Sequence, residues 1–80
     1  MWLEGTIGVK NADGRYTGVH YCCKRFDEPS EEYGIAGGRI SKLVLKQEGE
    51  VVYDYGRGWD IPPQTKEAEQ ALVILMYEHN

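Results

Sequence analysis

The sequence predicts an α+β fold: a four-stranded antiparallel sheet of two hairpins, with one C-terminal helix packed on one face. Apolar and polar residues alternate in several segments of the first two thirds of the chain, a pattern typical of half-buried strands. Turn sequences such as Asp13-Gly14 and Glu48-Gly49-Glu50 separate these segments. The chain has 80 residues, which is enough for a single two-layer domain over residues 1–80.

Each strand is predicted from alternation or from a concentration of β-branched and aromatic residues. The segments with these properties cover about residues 2–10, 15–26, 39–47 and 51–55. In the first segment Leu3, Ile7 and Val9 share one face, which we expect to contact the helix. Residues 27–38 have no clean period and are rich in glycine and proline, so they predict a long loop between the hairpins.

The last predicted element is a helix over about residues 66–79. Pro62-Pro63 ends the sheet because proline cannot donate to a ladder, and Thr65 is suited to cap the helix N-terminus. At 100° per residue one narrow apolar stripe should pack on the sheet. The residues of this stripe are Ala68, Leu72, Leu75 and Met76.

The other side of this helix is also apolar, because Val73, Ile74 and Tyr77 lie there. A helix that serves only to cover a sheet would be polar on that side. Two interpretations follow. Loop residues such as Ile35 or Ile61 cover these side chains, or the side chains contact a second copy of the chain or another protein.

The net charge of the chain argues against some classes of binding partner. Thirteen acidic residues against nine basic ones give a net charge of −4, which argues against nucleic-acid binding, since that depends on neutralising phosphates. Glu28, Glu31 and Glu32 concentrate negative charge in the long loop, where they would steer a basic partner. The chain has no apolar run of the roughly 18 residues that a membrane span needs, and its N-terminus does not resemble a signal peptide. We therefore expect a cytoplasmic protein that does not enter a membrane.

A second candidate site consists of glycines and arginines on predicted loops. Gly37 and Gly38 would let the backbone approach an anion closely, and Arg39 follows them directly. Arg57 and Trp59 lie on another glycine-rich segment, where the ring could stack on a ligand. These residues favour, as an alternative function, the binding of a nucleotide or another small anion. The other interpretation is that the arginines pair with nearby carboxylates and fix the loops.

The sequence gives little indication of a catalytic site or a metal site. Cys22 and Cys23 are adjacent, so in a strand their side chains point to opposite faces and cannot easily share a metal or a disulfide. His20 shares a face with Cys22, yet zinc needs three or four ligands. We expect no metal, no cofactor and no enzymatic activity. A cysteine-dependent enzyme that uses Cys22 or Cys23 is the second alternative.

Three blocks of the sequence carry a resemblance to other proteins. They are Phe26-Asp27-Glu28-Pro29-Ser30, Gly37-Gly38-Arg39-Ile40-Ser41 and Tyr55-Gly56-Arg57-Gly58-Trp59-Asp60. With them the chain resembles a group of small uncharacterised proteins from phages and mobile elements of Gram-positive bacteria. That resemblance implies an accessory protein of the bacterial host cell that acts against a host function, as anti-defence inhibitors such as anti-CRISPR proteins do. None of the three blocks is a catalytic signature.

The leading interpretation is a non-enzymatic protein-binding module. Val73, Ile74 and Tyr77 would contact a protein partner in the host cell or form a homodimer, and the acidic loop would steer a basic partner. The resemblance adds that the partner would be a host defence protein, which the module would inhibit.

Overall fold

The computed structural model describes residues 1–32, 34–56 and 60–80. It contains a four-stranded antiparallel sheet in the order β1-β2-β3-β4, with one long C-terminal helix, α1, against one face. The elements are β1 (Trp2–Lys10), β2 (Tyr16–Arg25), β3 (Ile40–Gln47), β4 (Glu50–Tyr55) and α1 (Lys66–His79). The predicted α+β class with two hairpins is thus confirmed, and the strand bounds differ from the predicted ones by about a residue.

The strand register explains which residues form the core. Leu3 lies opposite Cys23, and Cys23 lies opposite Leu43, so one row of apolar side chains crosses three strands on a single face. Cys23 and Leu43 have no exposed surface. Because side chains alternate along a strand, every second residue on either side of this row also points toward α1.

Two register irregularities change that alternation. Between β2 and β3 the extra residue is Ser41, and between β3 and β4 it is Val52. Val52 and the next residue, Tyr53, are both buried in the core although they are neighbours in a strand. A strict period of two could not predict this, because a bulge directs an additional side chain to the same face.

The predicted loop over residues 27–38 contains a short helical turn that no pattern in the sequence indicates. It is a 3₁₀ turn over Ile35–Gly37, and Gly37 ends it with a positive φ of 74°. Ile35 packs against the core, so this part of the segment belongs to the folded interior. Farther along the chain, Ile61 pairs through its backbone with Asp54 and so lies along the edge of β4.

The helix begins where its capping residue predicts. The Oγ1 atom of Thr65 accepts a hydrogen bond from the backbone N–H of Ala68 at 3.0 Å. Ala68, Ala71 and Leu75 are fully buried, while Leu72 packs on the margin of the core. The fully buried stripe therefore contains Ala71, which was not predicted, whereas the predicted Met76 is only half-buried. No helix in the described part of the chain is long and apolar enough to cross a bilayer.

A single glycine in β1 makes room for an aromatic ring. A Cβ atom at Gly5 would lie 2.8 Å from the hydroxyl oxygen of Tyr21, its partner on β2, and 3.0 Å from two ring carbons. The ring of Tyr21 therefore lies across the Gly5 backbone and covers part of the core. Gly8, in the same strand, has open space, since its nearest neighbour would be a Tyr16 ring carbon at 3.8 Å.

We expect Gly5→Ala to lower the free energy of unfolding by about 1–3 kcal/mol, because the added methyl group forces Tyr21 out of its place. The matched control Gly8→Ala should be neutral or slightly stabilising, since alanine reduces the entropy of the unfolded chain. Urea unfolding followed by circular dichroism measures both variants. Equal stabilities would contradict the packing of Tyr21 on Gly5.

Candidate functional site

The outer side of α1 carries apolar side chains that are exposed in the described part of the chain. Val73 is 66% exposed, Ile74 37% and Tyr77 91%. Together we call them the outer helix patch. Neither loop residue proposed as a cover reaches them, because Ile35 packs on the core and Ile61 pairs with β4. Among the described residues Ile35 and Ile61 therefore do not cover these side chains, and contact with a second copy or another protein stays a prediction.

The acidic segment (residues 27–32) is held by backbone hydrogen bonds to the glycines that flank the 3₁₀ turn. The N–H of Ser30 donates to the Gly38 carbonyl at 2.9 Å, and the N–H of Gly34 donates to the Ser30 carbonyl at 2.9 Å. Glu28, Glu31 and Glu32 are exposed. Their carboxylates thus lie at the surface on a segment that the backbone fixes in place.

The side chain of Asn80 connects this loop with the end of α1. Its Oδ1 accepts a hydrogen bond from the Ile40 N–H at 2.9 Å, and its Nδ2 donates to the Ile35 carbonyl at 2.9 Å. Gly38 packs directly against this amide and has no room for a Cβ atom. The C-terminal end of α1, which carries Tyr77, is therefore fastened next to the loop that carries the acidic segment.

The second candidate site, for a small anion, is only partly described. Gly37 and Gly38 have structural roles, since one ends the 3₁₀ turn and the other accommodates Asn80. Arg39 is half-buried, and its carbonyl accepts a hydrogen bond from the Phe26 N–H at 2.9 Å. Among the described residues no carboxylate lies within 4.0 Å of its guanidinium. The remaining members of the predicted set, Arg57 and Trp59, lie outside the described residues.

The two cysteines occupy opposite faces of β2. Cys23 is fully buried, whereas Cys22 is half-buried on the face away from α1. Burial raises the pKa of the Cys23 thiol, and the neighbouring Cys22 adds to the rise. A thiolate nucleophile needs the opposite shift, so this environment does not activate Cys23.

His20 makes two side-chain contacts that were not predicted from the sequence. Its Nε2 atom lies 3.0 Å from Glu4 Oε1, and its Nδ1 lies 3.5 Å from the hydroxyl of Thr6, its cross-strand partner. The side chains of His20 and Glu4 are 43% and 68% exposed, so water competes for this contact. Counting the hairpin register back from the turn at Asp13-Gly14 would have revealed it, because that register places Thr6 opposite His20.

The fold and these surfaces define a class: a small two-layer α+β domain with an uncovered apolar helix face beside an acidic loop. The whole chain, residues 1–80, matches the model of the domain of unknown function DUF7678, and the protein belongs to that family. No curated protein and no solved structure matches the chain.

We expect Asn80→Ala to lower the free energy of unfolding by about 1–3 kcal/mol, because the N–H of the buried Ile40 loses its acceptor. Chemical denaturation measures the loss, and Glu78→Ala, an exposed neighbour, is the control. Cleavage by a glutamate-specific protease in the acidic segment should also become faster in Asn80→Ala. If Asn80→Ala and Glu78→Ala unfold alike, the amide does not hold the helix end.

We expect the two thiols to differ in their reaction with a disulfide reagent at neutral pH. In a Cys23→Ser variant the remaining Cys22 should react readily, whereas in Cys22→Ser the remaining Cys23 should react only as the chain unfolds. The raised pKa of Cys23 lowers the fraction of thiolate at a given pH. The reaction of Cys23 should therefore accelerate only at pH values above the ordinary cysteine pKa of about 8.5. Fast reaction of Cys23 in the native chain would instead support the cysteine-dependent alternative.

Proposed function

We propose that this protein is a non-enzymatic protein-binding module that docks a basic partner through the outer helix patch. The observation that carries this proposal is the exposure of Val73, Ile74 and Tyr77 on the only long helix of the described chain. A helix that only shielded the sheet would not need apolar side chains there.

The chemistry of the patch suits insertion of the helix face into a groove. Val73 and Tyr77 are four residues apart, so they lie one above the other on the helix surface, and Ile74 lies beside them. Tyrosine is enriched among the residues that dominate interface energies, because a large ring is buried with little loss of conformational freedom. Anchors at this spacing are typical of helix-in-groove recognition.

The charges around the patch favour a basic partner over a second copy of the chain. The first turn of α1 carries Glu67 and Glu69 against one lysine, Lys66, and Glu78 lies next to Tyr77. A homodimer through this face would bring the same carboxylates together from both copies, and each chain already has a net charge of −4. A partner whose groove is lined by lysine and arginine would instead be attracted.

The acidic segment extends this negative surface. Because Asn80 fastens the helix end beside the loop, Glu28, Glu31 and Glu32 belong to the same end of the molecule as Tyr77. Carboxylates outside the contact area would accelerate encounter with a basic partner more than they would strengthen the final complex. We therefore assign the apolar anchors to affinity and the acidic segment to steering.

The identity of the partner is a further part of the proposal. The resemblance to phage and mobile-element proteins implies that the partner is a bacterial host protein and that docking inhibits it. An inhibitor of this kind needs no catalytic group, since covering a functional surface of the target is sufficient.

The test is capture of a partner from a lysate of the source organism, followed by direct binding measurements with the purified partner. We expect Ile74→Asp to weaken binding at least about tenfold, because a carboxylate would be desolvated in an apolar contact. Reversal of charge at Glu31 and Glu32 to lysine should slow association and leave dissociation almost unchanged.

Lys46→Glu is the matched control, since Lys46 is exposed on the sheet face away from α1. It should bind like the wild type. The proposal is wrong if Ile74→Asp and Lys46→Glu bind equally well. It is also wrong if sedimentation shows a wild-type dimer that Ile74→Asp converts to monomer, because a second copy would then cover the patch.

A further inference from the structure

The sheet face that α1 leaves uncovered contains a pocket where the ends of β1, β2 and β3 come together. The pocket has a volume of about 370 Å³ and is lined by Trp2, Lys24, Phe26, Ser41 and Lys42. Two aromatic rings, two ammonium groups and a hydroxyl therefore surround one concave space. Apolar walls with a few convergent polar groups are typical of sites for small ligands.

The strand register builds this pocket from residues that are distant in the sequence. Lys24 on β2 and Lys42 on β3 are direct cross-strand partners, so their Cβ atoms start about 4.5–5.5 Å apart. Ser41 is the extra residue of the bulge beside them, and its side chain therefore joins Lys42 on the pocket wall. Its hydroxyl donates to the Lys24 carbonyl at 3.3 Å, and its oxygen remains able to accept a hydrogen bond.

The two lysines give the pocket a positive charge that no ion pair with a described carboxylate neutralises, although Glu4 and Asp54 lie on the same sheet face. Like charges directly opposite each other in a sheet destabilise it. Among the described residues, no carboxylate lies within 4.0 Å of either ammonium group. The Nζ of Lys24 lies 5.8 Å from the centre of the Phe26 ring, a cation–π distance that holds this ammonium group at the pocket. An anion between Lys24 and Lys42 would remove their repulsion.

We propose that this pocket binds a nucleotide, either free or as one unit of a single strand, with its phosphate between Lys24 and Lys42. Trp2 is 58% exposed, so its ring offers a surface on which the base stacks. Ser41 accepts a hydrogen bond from the sugar or the base. Inorganic phosphate would use the two lysines but leave the aromatic walls unused.

This site differs from the anion site that the sequence predicted. That site relied on Arg39, Arg57 and Trp59, whereas the described residues that line the pocket on the uncovered sheet face do not include Arg39. The pocket also faces away from the outer helix patch, because the sheet lies between them. It therefore represents a second binding surface with the opposite charge.

Calorimetric titration of the wild-type chain tests the proposal. The probes are the common ribonucleoside 5′-monophosphates, inorganic phosphate and a short oligouridylate. We expect at least one mononucleotide to bind about tenfold more tightly than inorganic phosphate, because stacking on Trp2 adds to the contacts with phosphate.

Variants then locate the site. Lys24→Gln and Lys42→Gln should each weaken nucleotide binding about tenfold, and Trp2→Ala should remove the preference for nucleotides over phosphate. The matched control is Lys46→Gln. This lysine is exposed on the same face of β3, but it lies opposite His20 and outside the pocket. Circular dichroism of each variant confirms that it folds.

Each outcome supports or overturns the site. Equal affinity for a mononucleotide and the oligouridylate identifies a free nucleotide as the ligand, and much tighter binding of the oligouridylate identifies a unit of a strand. The proposal is overturned if no nucleotide binds, if inorganic phosphate binds as tightly, or if Lys46→Gln weakens binding as much as Lys24→Gln does.

Discussion

The hydrogen bonds of the Asn80 side-chain amide determine how the end of α1 is placed relative to the loop and the sheet. With one oxygen and one nitrogen the amide satisfies the Ile40 N–H at the start of β3 and the Ile35 carbonyl in the 3₁₀ turn. Ile40 is fully buried, and a buried backbone N–H without an acceptor is costly. A single side chain thus joins the helix end, the loop and the sheet. The position of the acidic segment relative to Tyr77 follows from that junction.

One helix on one face of a four-stranded sheet leaves the molecule with two different outer surfaces. The helix side combines exposed apolar residues with carboxylates, whereas the uncovered sheet face concentrates lysines, among them Lys24, Lys42 and Lys46. The net charge of −4 averages these two surfaces and represents neither of them. A net charge of −4 therefore disfavours the binding of long polyanions more than it disfavours a single nucleotide at one pocket.

The sequence predicts those features that repeat along the chain. Alternation in β1 and the stripe that contains Leu75 are determined by local period, and the tertiary structure agrees with both. The junction at Asn80 and the pocket around Lys24 depend on pairs 17 to 45 residues apart, and their register is shifted by one residue at Ser41. No local period contains that information. The exposure of Tyr77 lies between these cases: the helical wheel predicts the direction of its side chain, but only the tertiary structure shows that the ring stays exposed among the described residues.

The sheet that separates the two surfaces also makes them chemically independent. Cys23 and Lys24 are neighbours in β2, yet one side chain is buried beneath α1 and the other lines the pocket on the far side. Binding at the pocket could change the affinity of the outer helix patch only by moving the strands under α1, and these strands are close-packed around Cys23 and Leu43. Coupling between the sites requires such a movement, because a ligand shifts an equilibrium only through different affinities for two states. A nucleotide and a protein partner would therefore bind on opposite sides of the sheet, each recognised by its own face.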